Sequence, residues 1–270
     1  LPRVLRWLDL RGRLGFSEWH SNVYFNEDFP AVLNLVDFAA DETVREKAAM
    51  VLDLLTFDLL NNTYRGLFAT VHGRTYPDML INRLLDETTE VLWILTGLAD
   101  YRSRDNFSAT FLATSQYEVP ALLEEVAVAT RDTHEHRQRD SVDIADGPTY
   151  GIGYESPDDV VVWAGMAALG APEVILGTVN LLETYDLWDG FLFGQLPASL
   201  KALLRRNAGS PALVNLARDL HVVSQGIALE SMSTYTFRTP HFQLSGAQNY
   251  RPGYFGAQTH IWKATLDEDA

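Results

Sequence analysis

The chain has 270 residues, 47% of them hydrophobic and 21% charged, which is globular composition with enough apolar surface for a sizeable core and excludes a disordered chain. It carries 36 acidic against 21 basic side chains, a formal net charge of −15, so its overall field repels nucleic acid and anionic membrane surfaces. Cysteine is absent, which removes disulfides, Cys-ligated zinc and thiol catalysis.

In chain order, Leu1-Pro2-Arg3-Val4 lacks the pattern of a signal peptide, and no window anywhere holds the roughly 18 uninterrupted apolar residues of a membrane helix. The first segment rich in chemistry is Glu18-Trp19-His20-Ser21-Asn22-Val23-Tyr24, just before a helix. Trp19 offers a flat apolar face with a polar N–H, a surface on which sugar rings stack; equally, Trp19 packs inward as a staple and Ser21 or Asn26 caps the helix. From 26 to 40, Phe29, Val32, Leu33, Val36 and Ala40 recur at helical spacing with Pro30 expected in the first turn. A second helix is expected over 41–60, capped by Asp41 and striped by Val44, Ala48, Val51, Leu55 and Leu59, so that the two form an αα-hairpin.

Residues 61–77 read as a long polar loop carrying Asn61, Asn62, Arg65, His72, Arg74 and Tyr76. Within it His72 and Arg74 supply a titrating group and a permanent cation around a permissive Gly73; a loop tied to helix-end carboxylates explains the same residues. Further helices are expected over 78–98, 107–115, 119–129, 160–169, 171–185 and 197–206. Between them 130–156 is poor in helical pattern, and its run from His134 to Asp140 reads as a solvated charged loop; His134 and His136 have no third ligand nearby, and no metal is expected.

Near Leu229 the pattern turns to β: Met232, Thr234, Thr236 and Phe237, then Gln243, then His260, Trp262 and Ala264, punctuated by Pro240, Gly246, Pro252 and Gly253. Gln248, Asn249, Tyr250, Arg251, Tyr254, Gln258 and His260 form a polar aromatic group suited to a hydroxyl-rich ligand, although a half-buried strand also explains Gln258 to Trp262. The expected layout is therefore mainly α, an incomplete α/α toroid of helical hairpins over 1–225, then the start of an antiparallel β region over 226–270 that a larger β domain would continue. No phosphate-binding loop, dinucleotide fingerprint, GxSxG elbow or kinase signature occurs, and Gly151-Ile152-Gly153 lacks the strand-turn-helix context of one.

Gly15 to Tyr24, the helical Ala31 to Ala39, and Gln258-Thr259-His260-Ile261-Trp262 together resemble bacterial heparinase II/III-like and alginate-lyase-like proteins. The resemblance implies an α/α toroid ahead of a β-sandwich, a polysaccharide substrate, and β-elimination next to a uronic acid carboxylate. A Tyr or His then removes the proton while Asn, His or Arg neutralises the carboxylate. Tyr24, His72, Arg74 and Tyr76 suit the catalytic parts, and Glu18, Trp19, His20, Asn61, Asn62, Arg65, Gln248, Tyr250 and Arg251 the substrate-binding ones. No cofactor, nucleic acid or membrane partner is expected, the oligomeric state is not encoded in any motif, and the location implied is secreted or periplasmic with no targeting segment in this chain. A glycoside hydrolase pairing Glu18 with Asp58 or Glu230, and a noncatalytic carbohydrate-binding protein, are the alternatives on such a scaffold.

Overall fold

The computed structural model describes residues 1–101, 106–129, 133–166, 168–190, 193–224, 230–250 and 258–266. It is mainly α-helical with a small antiparallel sheet. The first helix, α1 (Pro2–Leu14), has Pro at its start and Arg11 and Arg13 in its last turn, the polarity a helix dipole favours, and buries Leu8, Leu10 and Leu14. No element was expected there, because no polar cap precedes Pro2 to mark its beginning.

The expected hairpin is present as α2 (Phe25–Phe38) and α3 (Glu42–Asn61), which pack on each other through Phe29, Val32 and Leu33 against the α3 stripe, with Asp41 accepting the Val44 N–H at 3.1 Å. Pro30 lies inside α2 rather than in its first turn. Its missing N–H leaves the Asn26 carbonyl without the usual partner four residues on, and the Ser108 hydroxyl donates to it instead at 2.6 Å.

The expected loop over 61–77 contains a hairpin, β1 (Thr63–Tyr64) and β2 (Leu67–Phe68). Its turn has positive φ at both Arg65 (50°) and Gly66 (77°), the twist that matches paired strands. The single helix expected over 78–98 is interrupted: α4 (Pro77–Ile81) and a short 3₁₀ turn (Arg83–Leu85) precede α5 (Thr89–Thr96). Asn82 accepts the Leu84 N–H and Asp86 accepts the Thr88 N–H and hydroxyl, side-chain bonds that compete with the helical ladder.

Then follow α6 (Phe107–Thr114), α7 (Ala121–Val128) and β3 (His134–Asp140). The charged run is thus a strand, not a loop, and strands begin well before the expected change near Leu229. Beyond it come α8 (Pro157–Ala164), α9 (Ile175–Thr184), α10 (Ala198–Arg206), α11 (Pro211–Ser224), β4 (Met232–Arg238), β5 (Phe242–Ala247) and β6 (Trp262–Leu266). The sheet runs in the order β3-β4-β5-β6, every pair antiparallel, with His136 opposite Thr236, Thr236 opposite Ser245, and Ser245 opposite Lys263.

Directly opposed residues share a face. One face therefore carries His134, His136, Gln138, Asp140, Thr234, Thr236, Arg238, Gln243 and Ser245, and the last six of the set other than the histidines and Gln138 are buried. The other face carries Glu135, Arg137 and Arg139 on β3 and the exposed Leu244, Trp262 and Leu266 on β5 and β6. A buried face made of polar groups is the inverse of the usual alternation, so its cost must be met by hydrogen bonds.

The chain groups into two compact units, 1–141 with 232–250 and 258–270, and 142–231 with 251–257. The grouping crosses the boundary expected at 225/226, since the strands after it pack with the helices before it. The first unit centres on Leu8, Phe25, Phe29, Leu33, Leu52 and Leu55, the second on Ile175, Val179, Leu182, Trp188 and Leu213. Among the described residues no helix is long and apolar enough to cross a membrane.

Candidate functional site

Within the first unit, the stretch before α2 is folded tightly on itself: the Ser21 N–H donates to the Glu18 carbonyl at 3.0 Å, and the Ser21 hydroxyl accepts the Tyr24 N–H at 3.0 Å. The Gly73 N–H donates to the Trp19 carbonyl at 2.8 Å, and His72 and His260 exchange backbone hydrogen bonds of 2.9 and 2.8 Å as an antiparallel bridge. Three distant segments are thereby tied together, and their side chains follow.

Arg74 stands at the centre. Its guanidinium donates to Glu18 Oε1 at 2.8 Å and to the amide oxygen of Gln258, and lies 5.5 Å from the centre of the Tyr24 ring. Tyr76 is close enough to act electrostatically on both Tyr24 and Arg74. Burial pulls the Arg74 guanidinium down, but the bond and charge of Glu18, with Tyr24 and Tyr76, outweigh it and leave it held above its ordinary range. Burial raises the Glu18 carboxyl although Arg74 opposes it, and burial together with the charge of Glu18 raises the Tyr24 phenol. At neutral pH Tyr24 therefore keeps its proton.

His72 is fully buried beside this cluster. Its Nδ1 hydrogen bonds the His20 carbonyl at 2.6 Å, which places the proton there, and leaves Nε2 as a lone pair that no described protein group meets. Burial, then the charge of Lys263, holds His72 well below its ordinary pKa, and the same two causes lower His260, whose ring stacks at 6.4 Å from that of His72. Both imidazoles are neutral at pH 7.

Beneath lies the buried polar face of the sheet. His20 Nε2 is 3.4 Å from the Asn62 amide nitrogen and 3.9 Å from Asp140 Oδ2. Asn62 also donates to the Asp58 carbonyl and accepts from the Thr236 hydroxyl, while Gln243 donates to the Asn62 and Ala69 carbonyls at 2.9 and 2.7 Å. The Gln138 amide donates to Asp58 at 2.7 Å and to Asp140 at 2.8 Å. Burial raises both carboxyls, Asp140 to about 7 and Asp58, further pushed by Asp140, well above its ordinary value. Burial lowers His20 to about 4, so the network holds neutral histidine and a carboxyl pair that retains a proton near neutrality.

Glu18, Tyr24, Arg74 and Tyr76 thus gather at one place, with His72 behind them. The remaining sequence candidates divide. Trp19 is 1% exposed, so the stacking face expected of it is taken up by the core. His20 and Asn62 are as deeply buried and take part in the network, and the Asn61 amide oxygen accepts from His134 Nε2 at 2.9 Å. Arg65 sits at the hairpin turn and donates to the Pro240 carbonyl at 3.1 Å, a tie between two turns. Gln248 borders an open depression of about 620 Å³ with Arg137, Arg139, Ser233 and Tyr235, apart from the Arg74 cluster in its lining. Tyr250 is half-buried at the end of a described segment, and Arg251 and Tyr254 lie outside the described residues.

Gln258 and His260 were expected only within a polar aromatic group suited to a hydroxyl-rich ligand, and Gln138 and Asp140 only within a solvated charged loop; their place beside Arg74 and in the buried network was not expected. Period-two alternation over His134, His136, Gln138 and Asp140 was the available signal, hidden because the inward positions are polar. Among the described residues no group of three or more His, Asp or Glu is arranged to hold a metal ion.

Comparison with family models, curated proteins and solved structures finds no match. The chemistry of the site is left to its geometry.

Proposed function

We propose that the protein is a polysaccharide lyase that cleaves a uronic-acid-containing chain by β-elimination, on an incomplete α/α toroid. The observation that carries the reading is Arg74 fixed between Glu18 and Gln258 and laid over Tyr24: one oriented cation beside one protonated phenol. Packing of α2 against its chain neighbour α3 and against α6 supports the scaffold.

In the reaction the uronate carboxylate takes Glu18's place on Arg74, whose planar fork binds it bidentately and draws off its charge, so that the adjacent C5–H becomes acidic. A neutral imidazole accepts that proton; His260, half-buried next to His72, has the required lone pair, and His72 fixes its backbone. The electron pair forms the C4–C5 double bond, the C4–O bond breaks, and Tyr24 gives its proton to the departing oxygen. Tyr24 is here the acid rather than the base, because burial and Glu18 both favour its protonated form.

Elimination is favoured over hydrolysis because the carboxylates considered as partners for Glu18 are engaged elsewhere: Asp58 is buried against Gln138 and Asp140, and Glu230, in the second unit, accepts the Ile144 N–H at 2.7 Å. A secreted or periplasmic location goes with a polymeric substrate. The test is incubation with alginate, hyaluronan and heparan sulfate: elimination gives an ultraviolet-absorbing unsaturated sugar at each new end, hydrolysis gives reducing ends without it, and a carbohydrate-binding protein gives neither.

A further inference from the structure

A second cavity, of about 310 Å³, has walls of two kinds: Phe68, Met79 and Leu80 are apolar, and Lys263, Thr265, Asp86 and Arg83, the last ion-paired with Asp100 at 2.9 Å, are polar. Lys263 reaches it because it is paired with Ser245 and therefore shares that residue's face of the sheet, whereas its neighbours Trp262 and Ala264 take the exposed face. Its ammonium has three donors and, among the described residues, one acceptor, the Phe68 carbonyl at 3.3 Å.

No carboxylate among the described residues comes within ion-pair distance of Lys263. Asp86 acts on it only through space, and both Asp86 oxygens are already engaged, by the Thr88 N–H at 2.9 Å, the Thr88 hydroxyl at 2.6 Å and the Asn22 amide at 2.9 Å. Burial accordingly pushes Lys263 below its ordinary range. A largely buried cation with donors that no described residue takes up, at the edge of an apolar hollow, is costly alone and favourable with an anion. The volume stands at the small end of ligand pockets, which run from about 300 Å³ upward.

We propose that this cavity binds a small amphipathic carboxylate, its head on Lys263 and Thr265 and its short hydrocarbon body against Phe68, Met79 and Leu80. The occupied oxygens of Asp86 argue against a cationic ligand, and the cavity's lining includes neither Arg74 nor Tyr24, although Lys263 acts through space on His72 and His260.

The probe is hexanoate, with hexanamide as its uncharged counterpart, titrated into the full chain by saturation-transfer NMR and calorimetry. Hexanoate should bind saturably at one site, and hexanamide roughly tenfold or more weaker, the usual worth of a charge-assisted hydrogen bond. Lys263→Met should abolish binding, and Met79→Trp, which fills the hollow and leaves the cation in place, should do so too in a chain of unchanged circular dichroism. Arg74→Ala should keep it. Absence of saturable binding, equal affinity for hexanamide, survival of binding in both cavity variants, or its loss in Arg74→Ala would each overturn the proposal.

Discussion

Arg74 is held by two side chains at once, and that sets what its replacement should do. Lysine keeps the charge but cannot hold Glu18 and Gln258 with one planar group, so Arg74→Lys should lower turnover on a uronate polymer by roughly two orders of magnitude, and Tyr24→Phe by a similar factor through loss of the proton donor. Initial rates of absorbing product, in variants whose melting temperature matches the parent, decide the point; undiminished rates would remove both residues from the chemistry. A different residue-scale expectation concerns Asp140. Its folded carboxyl, at about 7, lies above the ordinary value near 3.8, so within that window the native state keeps a proton that the unfolded chain has released. This part of the stability is present at low pH and is lost as pH rises toward 7. His20, lowered to about 4, acts in the opposite sense below 6.5, so the parent's own pH profile mixes the two. The comparison that isolates the pair is Asp140→Asn: its stability relative to the parent should rise by roughly 1–3 kcal/mol between pH 4 and 8 in urea titrations. A pH-independent difference would show that Asp58 and Asp140 do not share a proton.

Among the elements, the hairpin of β1 and β2 is fixed by its turn. Gly66 has φ 77° and no room, since a Cβ there would meet the Leu98 carbonyl oxygen at 2.5 Å. Gly66→Ala should therefore destabilise by roughly 1–3 kcal/mol, seen as a lower urea midpoint at unchanged slope; an unaltered midpoint would mean that the hairpin does not depend on this turn. The elements best legible in the sequence were α2 and α3, whose apolar stripes follow helical spacing and whose Asp41 cap is present as expected. β3 was not legible, because recognition of a strand relies on apolar residues marking the inward positions, and here His136, Gln138 and Asp140 occupy them. The break after Ile81 was hidden for a similar reason: Asn82 and Asp86 end the helix through their own side-chain bonds, while the apolar pattern runs on through them. Of the candidate site, the meeting of Glu18, Tyr24, Arg74 and Tyr76 was anticipated from residue type. The inward packing of Trp19 was one of the two readings its place before a helix allowed, whereas the burial of His20 and His72 was not legible, since it accompanies the bridge to His260 formed nearly two hundred residues later.

For the molecule as a whole, the proposed elimination requires an anionic polymer to approach a chain of net charge −15 in order to reach Arg74. The screening length falls from about 30 Å at 0.01 M salt to about 8 Å at 0.15 M, which removes the long-range repulsion while leaving the contact with Arg74 largely intact. KM for a uronate polymer should therefore fall over that range with little change in kcat; a KM that climbs steadily from the lowest salt would mean that local attraction governs the encounter. The most direct measurement is the yield of ultraviolet-absorbing sugar against the yield of new reducing ends from a uronic acid polymer. Elimination at Arg74 predicts one absorbing end for every bond cleaved, whereas reducing ends that accumulate without absorbance, or a polymer left uncut, would contradict it.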